Sequence, residues 1–336
     1  MSNQDDRRLI SIVTPAYNEE DSVHECHAAV AELFRGPLSN YRYEHIFADN
    51  ASTDSTVAIL REIAAEDPHV KVIVNSRNFG PLKSLWNATQ AATGDAVIPC
   101  LAADLQDPPE IIVEFVKKWE EGFDIVHGIR ADRQEGAVLH FIRRMYYRGI
   151  RWLANVDIPL NSGEFQLIDR KVAQVLAEVE DYYPYVRGLI AACGFKQARV
   201  PYTMLARKRG VSKANWYGMI DIGLNGLISL SNVPMRVCMA IGFLTSGLSL
   251  VFALVSCIAA IIAMATGQQT PSPGIPTLIV GMFFLGGVQL FFLGFMGEYI
   301  SAIHSQVRRR PIVIEQERIN FERSVVPSLA INRKAS

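Results

Sequence analysis

Residues 100–110 run Cys-Leu-Ala-Ala-Asp-Leu-Gln-Asp-Pro-Pro-Glu. Asp104 brings a carboxylate, and Gln106, two places on, brings a carbonyl oxygen. A hard divalent cation such as Mg2+ or Mn2+ takes oxygen ligands, usually one or two carboxylates completed by substrate phosphates and waters. Asp104 and Gln106 on one side of an extended chain meet that demand. Pro108 and Pro109 then stop a strand and open a helix. Ala102 stands where a second carboxylate would be useful, so the expected metal site is a spare one.

Three more polar clusters carry chemistry. Asp49–Asp54, Asp-Asn-Ala-Ser-Thr-Asp, combines carboxylate, amide and hydroxyl groups that suit a base or a ribose. Its plainer reading is helix capping by Ser52. Pro15–Glu20, Pro-Ala-Tyr-Asn-Glu-Glu, is a turn before a helix, in which Asn18 and Glu19 are alternatively first-turn residues. Arg207, Lys208, Arg209 and Lys213 surround a glycine in a loop. Arginine forks match diphosphate oxygens, and a solvated basic loop is the alternative.

Elements must bring these clusters together. Short β-branched runs at Leu9–Pro15, Glu44–Asp49, Val70–Asn75 and Asp95–Leu101 alternate with helical spacing over Asn18–Phe34, Thr53–Glu66, Gly80–Ala92 and Pro108–Glu121. That alternation predicts an α/β domain whose parallel sheet is covered on both faces. Ligands of such sheets lie beyond the carboxyl ends of the strands. Pro15–Glu19, Asp49–Asp54, Asn75–Gly80 and Asp104–Gln106 all fall there, so they are expected to form one site.

The 336 residues carry a net charge of −1, and no bulk field advertises nucleic acid. No Asp, Glu, Lys or Arg occurs between Arg236 and Glu298. An apolar run of about 20 residues crosses a bilayer. The gap is therefore expected to hold two transmembrane helices, about Val237–Ala265 and Thr277–Tyr299, rather than a buried hairpin. Arg236 before the first and Arg308–Arg310 after the second place both ends in the cytoplasm. The opening residues do not form a signal peptide. Val138–Val156 carries Arg143, Arg144, Arg148 and Arg151 among apolar residues. It fits a helix on a membrane surface or one packed on the sheet. Five scattered cysteines fit a reducing compartment. The expected organisation is a cytosolic domain at 1–213, an interfacial helix at 214–236, the spans at 237–300 and a cytosolic tail at 301–336.

The motifs Ser-Ile-Val-Thr-Pro-Ala-Tyr-Asn-Glu-Glu, Asp-Asn-Ala-Ser-Thr-Asp, Ala-Asp-Leu-Gln-Asp-Pro-Pro-Glu, Ser-Gly-Glu-Phe and Arg-Lys-Arg-Gly-Val-Ser-Lys follow one another in order. In this order they resemble the membrane-anchored family-2 glycosyltransferases that act on polyprenyl phosphates, over about Leu9 to Pro311. The relatives are dolichyl-phosphate mannose synthase and the undecaprenyl-phosphate sugar transferases. The resemblance implies a GT-A, Rossmann-like fold and inverting transfer from a UDP- or GDP-linked sugar to a polyprenyl phosphate. It also implies a multi-pass protein of the cell inner membrane that forms homo-oligomers. Pro15, Tyr17, Glu19, Asp49 and Asn50 match donor-binding positions, as do Arg207 and Lys213. Asp104 and Gln106 match the metal ligands. Arg130, Arg133 and Arg143 match positions near the acceptor phosphate. Asp104 and Glu164 are the expected catalytic residues.

Three departures accompany the resemblance: Asn50, Ala102 and Glu164 replace the usual aspartates. They leave open a catalytically degenerate, nucleotide-binding membrane scaffold. A processive synthase is a poorer match, because Arg148 stands where the Gln-x-x-Arg-Trp motif has its glutamine.

Overall fold

The computed structural model describes residues 7–130, 159, 162–179, 181–182, 184–205, 233–266, 275–308 and 310–321. The described residues belong to two compact units, one holding those up to 205 together with 310–321, the other those at 233–266 and 275–308.

The first unit is built on strands β1 (Leu9–Ala16), β2 (Arg42–Asp49), β3 (Val70–Asn75), β4 (Ala96–Ile98), β5 (Ile125–Arg130), β6 (Ser162–Asp169), β7 (Gln197–Tyr202) and β8 (Glu315–Ile319). Helices α1 (Val23–Arg35), α2 (Thr56–Glu66), α3 (Pro81–Gln90), α4 (Ile111–Glu120), α5 (Arg170–Ala177) and α6 (Val186–Ala192) connect or flank them. The strands form one sheet in the order β7-β5-β6-β4-β1-β2-β3-β8. Alternate residues of a strand face opposite sides, and each side has its own core. Ile10, Ile12, Phe47 and Val72 pack with α1, α2 and α4 through Leu33, Leu60 and Phe115. Val13, Ile46 and Ile73 pack on the other face with α3, α5 and α6 through Trp86, Val172 and Ile190.

The expected all-parallel sheet is corrected to a mixed one. β1, β2, β3 and β4 run parallel. β6 enters between β4 and β5 antiparallel to both, and β7 runs parallel to β5. Periodicity identifies a strand but not its direction, which the connection and the neighbouring strands decide. The reversal has a chemical consequence. The amino end of β6, with Ser162 paired to Ile129, comes to the edge where the other strands end. Glu164 thereby arrives near Arg130.

The segment expected as a tail contains β8, antiparallel to β3. Arg61 pairs with Glu317 at 2.6 Å, and Asn320 donates to the carbonyls of Ala64 and Val70. These contacts cover what would otherwise be an open sheet edge.

The second unit contains helices α7 (Val233–Thr266) and α8 (Ile275–Val307). Each encloses one expected span. Among the described residues one stretch, Gly281–Val307, is long and apolar enough to cross a membrane, and none of its apolar window is buried. Phe283 is 80% exposed. In α7 the comparable described stretch is shorter, Cys238–Ser249. The expectation of two spans is thus supported for one helix.

Candidate active site

The first two strand ends are clasped together. Ala16 and Asp49 are register partners at the ends of β1 and β2. The Asn18 N–H donates to Ser52 Oγ at 2.9 Å, and Asn18 Oδ1 accepts from the Thr53 N–H at 2.8 Å. The Glu19 N–H donates to Thr56 Oγ1 at 2.9 Å. Asn18 and Ala51 hold positive φ, 53° and 60°, a conformation that asparagine tolerates better than most residues. Helix α1 starts only at Val23 and α2 at Thr56. Asn18 and Glu19 are therefore not first-turn residues, and Ser52 is not a cap. Ser52 donates its hydroxyl to Asp49 Oδ1 and its N–H to Asp49 Oδ2 at 3.0 Å. Asp49 is fully buried, and burial raises its carboxyl above the usual range against those bonds. Pro15, Tyr17 and Glu19 are half-buried at the same strand end.

Asn50 has a definite task. Its Oδ1 accepts from Asn75 Nδ2 at 3.2 Å and from the Phe79 N–H at 3.0 Å, and its Nδ2 donates to Asn78 Oδ1 at 2.9 Å. An amide both donates and accepts, whereas an ionised carboxylate only accepts. Asn50 ties the loop after β3 to the end of β2 in a way that an aspartate would not.

Beyond β4 the chain stays beside β1, with the Leu101 N–H on the Val13 carbonyl at 2.8 Å. It then turns, with the Leu105 N–H on the Ala102 carbonyl at 3.1 Å and Leu105 at φ 52°. The expected extended course for Asp104 and Gln106 is corrected to a turn. Both side chains are half-buried, and the Gln106 N–H donates to Asp104 Oδ1 at 3.3 Å. Among the described residues no group of three His, Cys, Asp or Glu could hold a metal. The donor set is one carboxylate and one amide oxygen, which fits Mg2+ or Mn2+ when phosphates and waters supply the remaining ligands.

Two guanidinium–carboxylate pairs flank this turn. Arg130 Nη2 donates to both oxygens of Asp107 at 3.1 Å, and its Nε donates to Tyr202 Oη at 3.1 Å. Tyr202 in turn donates to Asp107 at 2.5 Å. Glu164 Oε1 lies 2.9 Å from Arg187 Nε. Burial raises the Glu164 carboxyl, opposed by Arg187 and Arg130.

Two thiols, buried Cys26 and half-buried Cys100, feel these groups. Burial lifts Cys26 to about 12, and Asp104 and Glu19 add to the lift. Burial also drives Cys100 well above its usual range, with Glu164, Asp107 and Asp104 adding and Arg130 opposing. Asp104 thus bears on both thiols, together with Glu19 on the first and Glu164 on the second. Arg133, Arg143, Arg207 and Lys213 lie outside the described residues. Asp107, Tyr202 and Arg187 are functional candidates that only the fold brings forward. Asp107 stands within the Ala-Asp-Leu-Gln-Asp-Pro-Pro-Glu motif, whereas Arg187 falls in none of the motifs given above.

Residues 11–176 match the family described as glycosyl transferase family 2. An uncharacterized glycosyltransferase of Synechocystis is 37% identical over 306 residues, 91% of this chain and 94% of its own length. An uncharacterized glycosyltransferase of Bacillus subtilis is 34% identical over 93% of this chain and 94% of its own. The bactoprenol glucosyl transferase of Shigella phage SfII is 32% identical over 303 residues, 90% of this chain and 96% of its own.

Proposed function

This chain belongs to glycosyltransferase family 2, and from that premise we propose that it transfers a sugar from a nucleotide sugar to a polyprenyl phosphate at a membrane surface. One observation carries the reading: oxygen donors and guanidinium groups meet at a single sheet edge, with Asp49 and Asn50 at one end and Glu164 at the other. The similarity to a bactoprenol glucosyl transferase along nearly the whole chain supports the lipid acceptor. The exposed apolar helix α8 supports a membrane location, and the wider proposal is a multi-pass protein of the inner membrane with its first unit in the cytoplasm.

The mechanism needs little acid–base chemistry. A phosphate monoester has its second pKa near ~6, so it is mostly dianionic at neutral pH and already nucleophilic. One of its oxygens attacks the anomeric carbon from the face opposite the leaving group. The new C–O bond forms as the bond to the donor's β-phosphate breaks, and the nucleoside diphosphate leaves with the electron pair. The sugar is inverted. The turns holding Asp49 and Asn50 fix the nucleoside end. Asp104 and Gln106 would hold Mg2+ or Mn2+, which when bound supplies positive charge to the leaving diphosphate. Arg207 and Lys213 are proposed for the donor diphosphate, and Arg130, Arg133 and Arg143 for the acceptor phosphate. Asp107 already neutralises much of Arg130, so Arg130 orients a phosphate more than it attracts one.

The test mixes the purified full chain with undecaprenyl phosphate, Mg2+ and a panel of UDP- and GDP-sugars. Nucleoside diphosphate is expected only when lipid and one donor are both present. Asp104→Ala should lower that release at least ~100-fold. Donor binding without lipid-dependent release from any donor would replace the enzyme by a nucleotide-binding scaffold.

A further inference from the structure

Arg187 is held on three sides. Its Nε faces Glu164 Oε1 at 2.9 Å, and its Nη1 donates to the Ser162 carbonyl at 3.0 Å. Its guanidinium carbon sits 5.3 Å from the centre of the Tyr185 ring. One planar group thus ion-pairs with a side chain and hydrogen-bonds a carbonyl two residues apart on β6. The fork geometry of arginine permits this, and a lysine's point charge would not reproduce it.

The grip accounts for only half of the carboxylate. Glu164 Oε2 is buried and has no hydrogen-bond partner among the described residues. Two residues along the same face of β6, Gln166 is fully buried and neither of its amide atoms has a partner there. Buried polar atoms in native proteins are nearly always satisfied, and the exceptions mark places that a ligand or water completes. An ionised carboxylate oxygen only accepts hydrogen bonds, so its missing partner must donate one. A phosphate dianion has no hydrogen to give and would be repelled. A sugar hydroxyl has one.

We propose that Arg187 is a positioning residue, which pins Glu164 by one oxygen so that the other, Oε2, accepts a hydrogen bond from a hydroxyl of the donor sugar. The sugar half of this inference rests on the glycosyl-transfer reading above; the hold of Arg187 on Glu164 does not. Arg187 from α6 and Arg130 from β5 bear on the Glu164 carboxyl; Glu164 in turn raises the Cys100 thiol after β4, and Asp107 pairs with Arg130.

The experiment uses the full chain in nanodiscs with 13C-labelled glutamate, and the Glu164 carboxyl signal is assigned by its loss in Glu164→Gln. Removing an opposite charge at this distance raises a carboxyl pKa by about 1–3 units. Arg187→Gln should therefore shift the Glu164 titration to higher pH by at least about one unit, with no substrate present. The acidic limb of kcat/KM against pH should move in the same direction. kcat at pH 7 should fall about 10- to 100-fold, while KM for the lipid phosphate stays within about two-fold. Arg187→Lys, which keeps the charge without the fork, should restore the titration more fully than the rate. It also serves as the test variant if Arg187→Gln does not fold. A titration that does not move in Arg187→Gln overturns the proposal, and so, if that variant does not fold, does wild-type kcat in Arg187→Lys. So does a moved titration with wild-type kcat and an unshifted pH limb. If the wild-type chain turns over no donor, the glycosyl-transfer reading fails, and the carboxyl titration still decides whether Arg187 holds Glu164.

Discussion

Two glutamates on the same sheet, one buried and one half-buried, have opposite fates. Glu44, on β2 toward the edge away from the site, accepts from Ser11 Oγ, the Thr93 N–H, Thr93 Oγ1 and Lys71 Nζ. Those donors hold its carboxyl below the usual range although burial alone would raise it. Glu164, at the opposite edge, has one ion pair and one buried oxygen without a hydrogen bond, and its carboxyl is raised. A buried carboxylate whose four acceptor sites are taken is structural, since nothing is left to offer a ligand. One that is half satisfied keeps binding capacity at a cost in stability.

Removing Glu44 should produce the largest effect on stability. Glu44→Ala leaves Lys71, Ser11 and Thr93 without their shared acceptor and should cost about 3 kcal/mol. Thermal unfolding of the full chain in detergent checks this, and turnover per folded molecule should stay near wild type. A small stability loss would erase the contrast.

Glu164→Gln should do the reverse. Turnover should fall about 100-fold, while the unfolding midpoint at pH 7 changes little. Its pH dependence sharpens the comparison. The folded-state pKa of Glu164 lies above the unfolded value, so protonation favours the folded form. Its contribution is fully present below the unfolded pKa, near ~4.3, and is lost as pH rises through the folded pKa. The wild-type chain should therefore gain stability relative to Glu164→Gln as pH falls from 7 toward 4.5. A difference that does not vary with pH would contradict the raised pKa.

Asn50→Asp should have the smallest effect. It restores the family's usual residue but removes the amide donor to Asn78 Oδ1, which should cost about 1 kcal/mol. Thermal unfolding and donor affinity read it, and a tighter donor affinity at unchanged stability would show that the loop does not need the amide.

Much was visible in the amino-acid order. The β-branched runs located β1, β2 and β3 within two residues at each end, because period and composition are local properties. Polar clusters after apolar runs marked the carboxyl ends of β1, β2 and β3 for the same reason, and a gap without charge marked two long helices. Tertiary structure alone decided three further matters. It reversed β6, which brings Glu164 to the site from far along the chain. It paired Asp107 with Arg130 and Glu164 with Arg187, contacts between residues more than 20 positions apart that no local spacing encodes. It also returned residues 315–319 to the sheet as an edge strand, because an unpaired backbone edge is satisfied only by another strand, and chain order does not say which one.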